Sequence, residues 1–121
     1  MRRIAGEGEL VRIFVGEGDR FRGQPLHQAM VLLAREMGLA GATGLRGVEG
    51  FGAHSVVHTA RILRLSEDLP MVIEVVEMPD RLAKFVEPVE AMLDEVNCGG
   101  LITVERARIV RYQPERSRSP R

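Results

Sequence analysis

Residues 9–16, ELVRIFVG, alternate along the chain with Val11, Ile13 and Val15 on one side, the period of a β-strand. After a loop at EGDRFRG, Pro25 stands where helices begin, since its fixed φ and missing N–H cost nothing there. Leu26, Ala29, Met30, Leu33 and Met37 then recur at i, i+3 and i+4, which predicts an amphipathic helix with Gly38 as its C-terminal cap. Residues 39–52, LAGATGLRGVEGFG, read as a second strand and its exit. Residues 53–70 keep neither period and predict a strand ending in a long excursion, with a turn at SEDLP. MVIEVVEM, residues 71–78, is a β-branched run of strand length between Pro70 and Pro79. Asp80 is a good N-cap for a second helix striped by Leu82, Phe85, Val86, Val89, Leu93 and Val96. Pro88 falls inside that helix and removes the hydrogen bond to the Lys84 carbonyl, so a kink or restart is expected. NCGG ends the helix, and residues 101–112, LITVERARIVRY, form the last strand.

The order β-α-β-β-α-β is that of an α+β, ferredoxin-like sandwich: two helices on one face of a four-stranded antiparallel sheet. One domain spans residues 9–112, after an N-terminal segment at 1–8 and before a charged tail at 113–121 that is expected to be disordered. The third strand is apolar on both sides, with Met71, Ile73 and Val75 against Val72, Val76 and Met78. Two apolar faces call for two covers. Either a second copy of the sheet covers the open face in a closed homo-oligomer, or the long excursion folds over it.

Composition narrows the function. The 121 residues carry 17 basic and 17 acidic groups, a formal net charge of zero, and no Trp. Nucleic-acid binders draw their affinity from neutralising phosphates and stacking bases, and this chain has little for either. Nearly all the positive charge is arginine, a side chain suited to anions. Cys98 is the one cysteine, which excludes an internal disulfide and fits a reducing, cytoplasmic setting. The longest apolar run, residues 29–34, is far shorter than a membrane span.

Few motifs carry chemistry. VGEGDRF begins like G-x-G-x-x-G but places Phe21 at the third glycine and lacks a parallel βαβ context, so it reads as a loop. His54 and His58 have i, i+4 spacing without H-E-x-x-H or an evident third ligand, and no metal site is assigned to them. Glu74 interrupts an apolar strand; it faces a cleft or pairs with an arginine of the last strand. In the glycine stretch, strand alternation sets Gly44, Gly50 and Gly52 on one face and Gly41 and Gly47 on the other. Such glycines mark the close approach of a ligand or another backbone, or only a bulged strand and a loop. Arg106, Arg108 and Arg111 of the last strand offer counter-charge for a phosphate.

Taken together, GLAGATGLRGVEGFG, HTARILRLSEDLPMVIEVVE and LITVERARIVRY resemble the PII-like proteins grouped as a domain of unknown function, itself similar to the nitrogen-regulatory PII signal transducers. The resemblance spans residues 9–112. It implies a ferredoxin-like subunit in a homotrimer that binds an adenine nucleotide between subunits. By the same resemblance, the ligand sets the state of a loop that docks on a transporter or an enzyme. That loop falls at residues 53–68, with Ala53, His54, His58, Arg61 and Asp68. Gly41, Ala42 and Thr43 match the stretch that contacts the adenine region. Gly50, Phe51 and Gly52 match the loop hinge and, with Glu74, Arg108 and Arg111, are counted by the resemblance among the nucleotide-binding residues of the cleft.

The departures shape the expected ligand. PII proteins carry an arginine–glutamine pair after G-F-G, where this chain has Ala53 and His54. Their phosphate loop after the second helix is reduced to NCGG, and the span from Thr43 to G-F-G is one residue longer, which calls for a bulge. AMP or ADP, or another adenine-containing ligand, is therefore expected over Mg-ATP. The expected role is non-enzymatic signalling with no metal cofactor. Alternatives are a small enzyme using the same cleft with Glu74 or His58 as acid/base, and a metal-responsive trimer using His54 and His58.

Overall fold

Pairing, rather than hydropathy, defines the first strand. In the computed structural model, which describes residues 2–50 and 69–115, β1 runs Ile4–Gly16 and starts well before its apolar alternation does. Residues 9–16 of β1 pair with β5 (Pro70–Glu77), whereas the earlier residues reach only β6 (Leu101–Tyr112). A small hairpin of β2 (Arg20–Phe21) and β3 (Gln24–Pro25) follows, turning at Arg22 and Gly23 with φ of 47° and 83°. Two successive positive φ values make the tight reversal whose twist suits a hairpin. Arg22 Nη2 also donates to Glu95 at 2.8 Å, fastening the hairpin to the second helix.

Helix α1 (Leu26–Glu36) has Pro25 as its N-cap and ends as its stripe predicts. The Gly38 amide donates to Arg35 O and the Leu39 amide to Ala34 O, while Gly38 takes a φ of +70°. This Schellman closure satisfies the last carbonyls and needs a residue without a Cβ penalty at position 38. Helix α2 (Pro79–Val96) starts one residue ahead of the expected Asp80 cap, with Pro79 in its first turn and Met78 as N-cap. It runs through Pro88 without interruption, so the expected restart does not occur. Asn97 closes it in the left-handed region, φ 53°.

The sheet order is β4-β5-β1-β6, all antiparallel, with β4 (Thr43–Arg46) on one edge and β6 on the other. Val11, Ile13, Val15, Met71, Ile73 and Val75 face the helices and are buried with Leu26, Met30, Leu82, Phe85 and Val89. This is the expected α+β architecture. The opposite face is half covered. Across it Leu45, Val72, Phe14 and Leu101 stand in register as one apolar row, with Leu45 48% and Leu101 53% exposed. The second strand is much shorter than the glycine stretch. It stops at Arg46, so strand alternation applies to Gly44 and not to Gly41, Gly47 or Gly50, while Gly52 lies outside the described residues. The tail beyond residue 115 lies outside the described residues.

Candidate functional site

The Schellman turn sends the chain from α1 across the sheet edge toward β4, and a cleft opens on the way. Val31, Ala34 and Arg35 of α1 face Leu39, Gly41 and Ala42 of the connection around a cavity of about 280 Å³. Its walls are largely apolar, and Arg35 is the one charged residue among the described residues that line it. Apolar walls with one placed charge suit a planar, apolar group bearing an anion. Among the described residues nothing stands within 4 Å of where a Cβ at Gly41 would lie, which leaves room there for a ligand.

A buried carboxylate stands behind the cleft wall. Glu77, at the end of β5, is fully buried. Its Oε1 accepts from Arg2 Nη2 at 2.6 Å and from the Ala40 amide at 3.0 Å. Its Oε2 accepts from Arg2 Nη1 at 2.8 Å and from the Met78 amide at 2.7 Å. Burial would push this carboxyl up, but the hydrogen bonds from Arg2, Met78 and Ala40 outweigh it and hold the group below its ordinary value. Arg2 and Arg81 also donate to Gly38 O, each at 3.0 Å, and Arg81 donates to Met37 O at 2.9 Å. Two cations thus sit on the carbonyls just beyond the C-terminal end of α1, where its dipole favours positive charge.

The other predicted residues divide into groups. Thr43 faces Glu74 across the β4–β5 ladder, on the open face of the sheet. Glu74 accepts from Arg12 Nε at 2.8 Å, and Arg12 Nη1 donates to Glu105 at 2.5 Å. The expected partner on the last strand is replaced by a β1 arginine because β1, not β6, lies beside β5. Hydrogen bonds to Glu74 and then Glu105 raise the Arg12 guanidinium further above its ordinary value. Arg108 and Arg111 are exposed on β6, at the edge opposite Gly41, Ala42 and Thr43. Gly50 has a φ of +143° and stands beside Pro70. Phe51, Gly52, Ala53, His54, His58, Arg61 and Asp68 lie outside the described residues.

Arg35, Glu77 and Arg2 were not legible as site residues. Arg35 reads as one more charge on the last turn of a helix. Glu77 did carry a signal: it continues the buried parity of Met71, Ile73 and Val75, where a carboxylate requires a partner. Among the described residues no group of three or more His, Cys, Asp or Glu could hold a metal ion, and no helix is long and apolar enough to cross a membrane.

Residues 8–109 match the DUF190 family, described as Uncharacterized ACR. A UPF0166 protein of Aquifex aeolicus (strain VF5) is 29% identical over 102 residues, covering 84% of this chain and 92% of its own. Among solved structures, CPII of Thiomonas intermedia K12, bound to ADP and bicarbonate, aligns with a TM-score of 0.62 at 13% identity over 89% of this chain and 91% of its own. A putative PII-like signaling protein of Thermus thermophilus aligns with a TM-score of 0.60 at 15% identity, over 91% and 94% of the two chains. At such identities the likeness is one of fold, and the fold is PII-like.

Proposed function

This chain belongs to the DUF190 family, and from that premise we propose that it is a PII-like signalling protein that binds an adenine nucleotide, AMP or ADP, between subunits of a trimer. The observation that supports this most is the sheet order. It sets the adenine-side residues Gly41, Ala42 and Thr43 at one edge and Arg108 and Arg111 at the other. Within one chain these two groups cannot line one cleft. They would meet if the β4 edge of one copy approached the β6 edge of the next, a head-to-tail contact that closes as a ring when the rotation between copies is a third of a turn.

The cleft fits that arrangement. Its volume of about 280 Å³ in one chain falls at the lower limit of sites that enclose a small molecule, roughly 300–1,000 Å³. A neighbouring subunit would complete the enclosure. Adenine would lie against Leu39, Gly41 and Ala42, and Arg35 would join the arginines of the adjacent β6 around the phosphates. CPII, which shares the fold, is a protein bound to ADP. In this reading residues 53–68 are the loop presented to a transporter or enzyme in the cytoplasm. The ligand acts by favouring one loop state, and no turnover is involved.

Calorimetric titration of the whole chain with AMP, ADP and ATP, with and without Mg²⁺, tests the reading, alongside light scattering and product analysis. Saturable AMP or ADP binding to a trimer without product supports it. A stable monomer, or no adenine ligand bound, overturns it. Product formation would move the cleft to the enzyme class.

A further inference from the structure

We infer that Glu77 and Arg2 form a clasp that positions the cleft wall at residues 39–42 and thereby sets how tightly the cleft holds its occupant. The inference rests on the reading of that cleft as the nucleotide site.

The connection between α1 and β4 is anchored at both ends. The Leu39 amide is tied to Ala34 O, and Thr43 enters the ladder with β5. Between these anchors, the Ala40 amide donates to Glu77. Gly41 and Ala42, which line the cleft, follow that bond directly. Glu77 is in turn oriented by both terminal nitrogens of Arg2, one on each carboxylate oxygen, a fork that permits little rotation. Arg2 Nη2 also reaches Gly38 O. Arg2 therefore grips both the carboxylate and the turn that the carboxylate steadies, with Arg81 as a weaker second cation, 3.7 Å from Glu77 Oε1 and bonded to Gly38 O.

An apolar side chain would fill a fully buried position at the end of β5 at lower desolvation cost. It would leave the Ala40 amide without its acceptor. The carboxylate does what an alkyl group cannot: it joins the segment before β1, the entry to β4 and the start of α2 through Arg2, Ala40 and Met78. Glu77 and Arg2 are positioning residues, acting on the occupant through the main chain.

The test uses the full chain, with amide exchange read at residues 39–42 and in β5, and ADP titrated by calorimetry. Arg2→Ala should speed exchange at Ala40 by about tenfold relative to β5 and weaken ADP by about five- to tenfold, in line with loss of a charge-assisted hydrogen bond. Arg2→Lys, which offers a point charge in place of a fork, should recover part of both effects. Glu77→Gln, if it folds, should match Arg2→Ala in both readouts. Exchange at 39–42 unchanged by Arg2→Ala, or raised equally throughout β5, overturns the clasp. Faster local exchange with unchanged ADP affinity overturns its role in setting affinity. If the wild type binds no adenine nucleotide, the functional reading fails and the clasp is judged by exchange alone.

Discussion

The Gly47 amide donates to the Pro70 carbonyl at 2.8 Å, and a Cβ at position 47 would lie 2.7 Å from Cγ of the Pro70 ring. The two residues flank the chain between residues 47 and 70 and close its base. Leu69 O accepts from the Glu17 amide at 2.7 Å, and Arg46 pairs with Glu17 at 2.7 Å. Residues 46, 47, 69 and 70 therefore form a stem fixed to the end of β1. A ligand or partner acting on residues 53–68 would do so against that fixed base.

Gly47→Ala should lower stability by about 1–3 kcal/mol, because the new methyl meets a ring that the β5 ladder prevents from retreating. Urea unfolding followed by circular dichroism would measure it. A shift below ~0.5 kcal/mol, the usual range of surface substitutions, would show that the stem yields.

Gly41→Ala should behave in the opposite way. Among the described residues its Cβ meets nothing within 4 Å, so stability should stay within about 0.5 kcal/mol of the wild type. The same methyl projects where an adenine ring would lie, so ADP affinity should fall severalfold in calorimetry. Equal affinity in the two proteins would remove Gly41 from the contact surface.

This contrast shows what the glycine stretch disclosed and what it withheld. That it holds a second strand was legible, because a helix stripe capped at Gly38 and a β-branched run from Met71 bracket it. The reason for each glycine was not. Gly38 is set by the end of its own helix and could be read locally, whereas Gly47 is set by Pro70, a contact that exists only once β4 and β5 pair. Glu74 follows the same rule. That it would face a cleft or take a cation was evident from its apolar strand, but the identity of that cation depended on which strand lies beside β5. Arg35 had no sequence signal at all, since the cleft that gives it meaning is made by the turn after its helix.

The apolar row Leu45, Val72, Phe14 and Leu101 is where neighbouring subunits of the proposed trimer would pack. Leu101→Glu places a charge at the exposed end of this row, 53% accessible in one chain. If the row is covered by neighbouring subunits, the variant should dissociate to a folded monomer, because a buried unpaired carboxylate costs several kcal/mol. Light scattering reads the mass, and circular dichroism confirms the fold. A variant whose assembly state matches the wild type's would show that this row is not the subunit contact.

The acid side of the stability profile should carry the signature of Glu77. Burial raises its carboxyl, but hydrogen bonds from Arg2 and the Met78 and Ala40 amides outweigh burial and leave it below its ordinary value in the folded protein. The unfolded chain, with a carboxyl near roughly 4.3, then binds the proton more readily than the folded one. The contribution is fully present above that value and is lost as pH falls from there through the lowered folded value. Glu95, lowered by its hydrogen bond from Arg22, adds in the same direction. Urea midpoints measured between about pH 7 and about pH 3 should therefore be flat above about pH 5 and fall below it. Arg2→Ala removes the largest of the influences that lower Glu77 and should flatten the acid limb. An acid limb as steep as the wild type's would show that other carboxylates govern it.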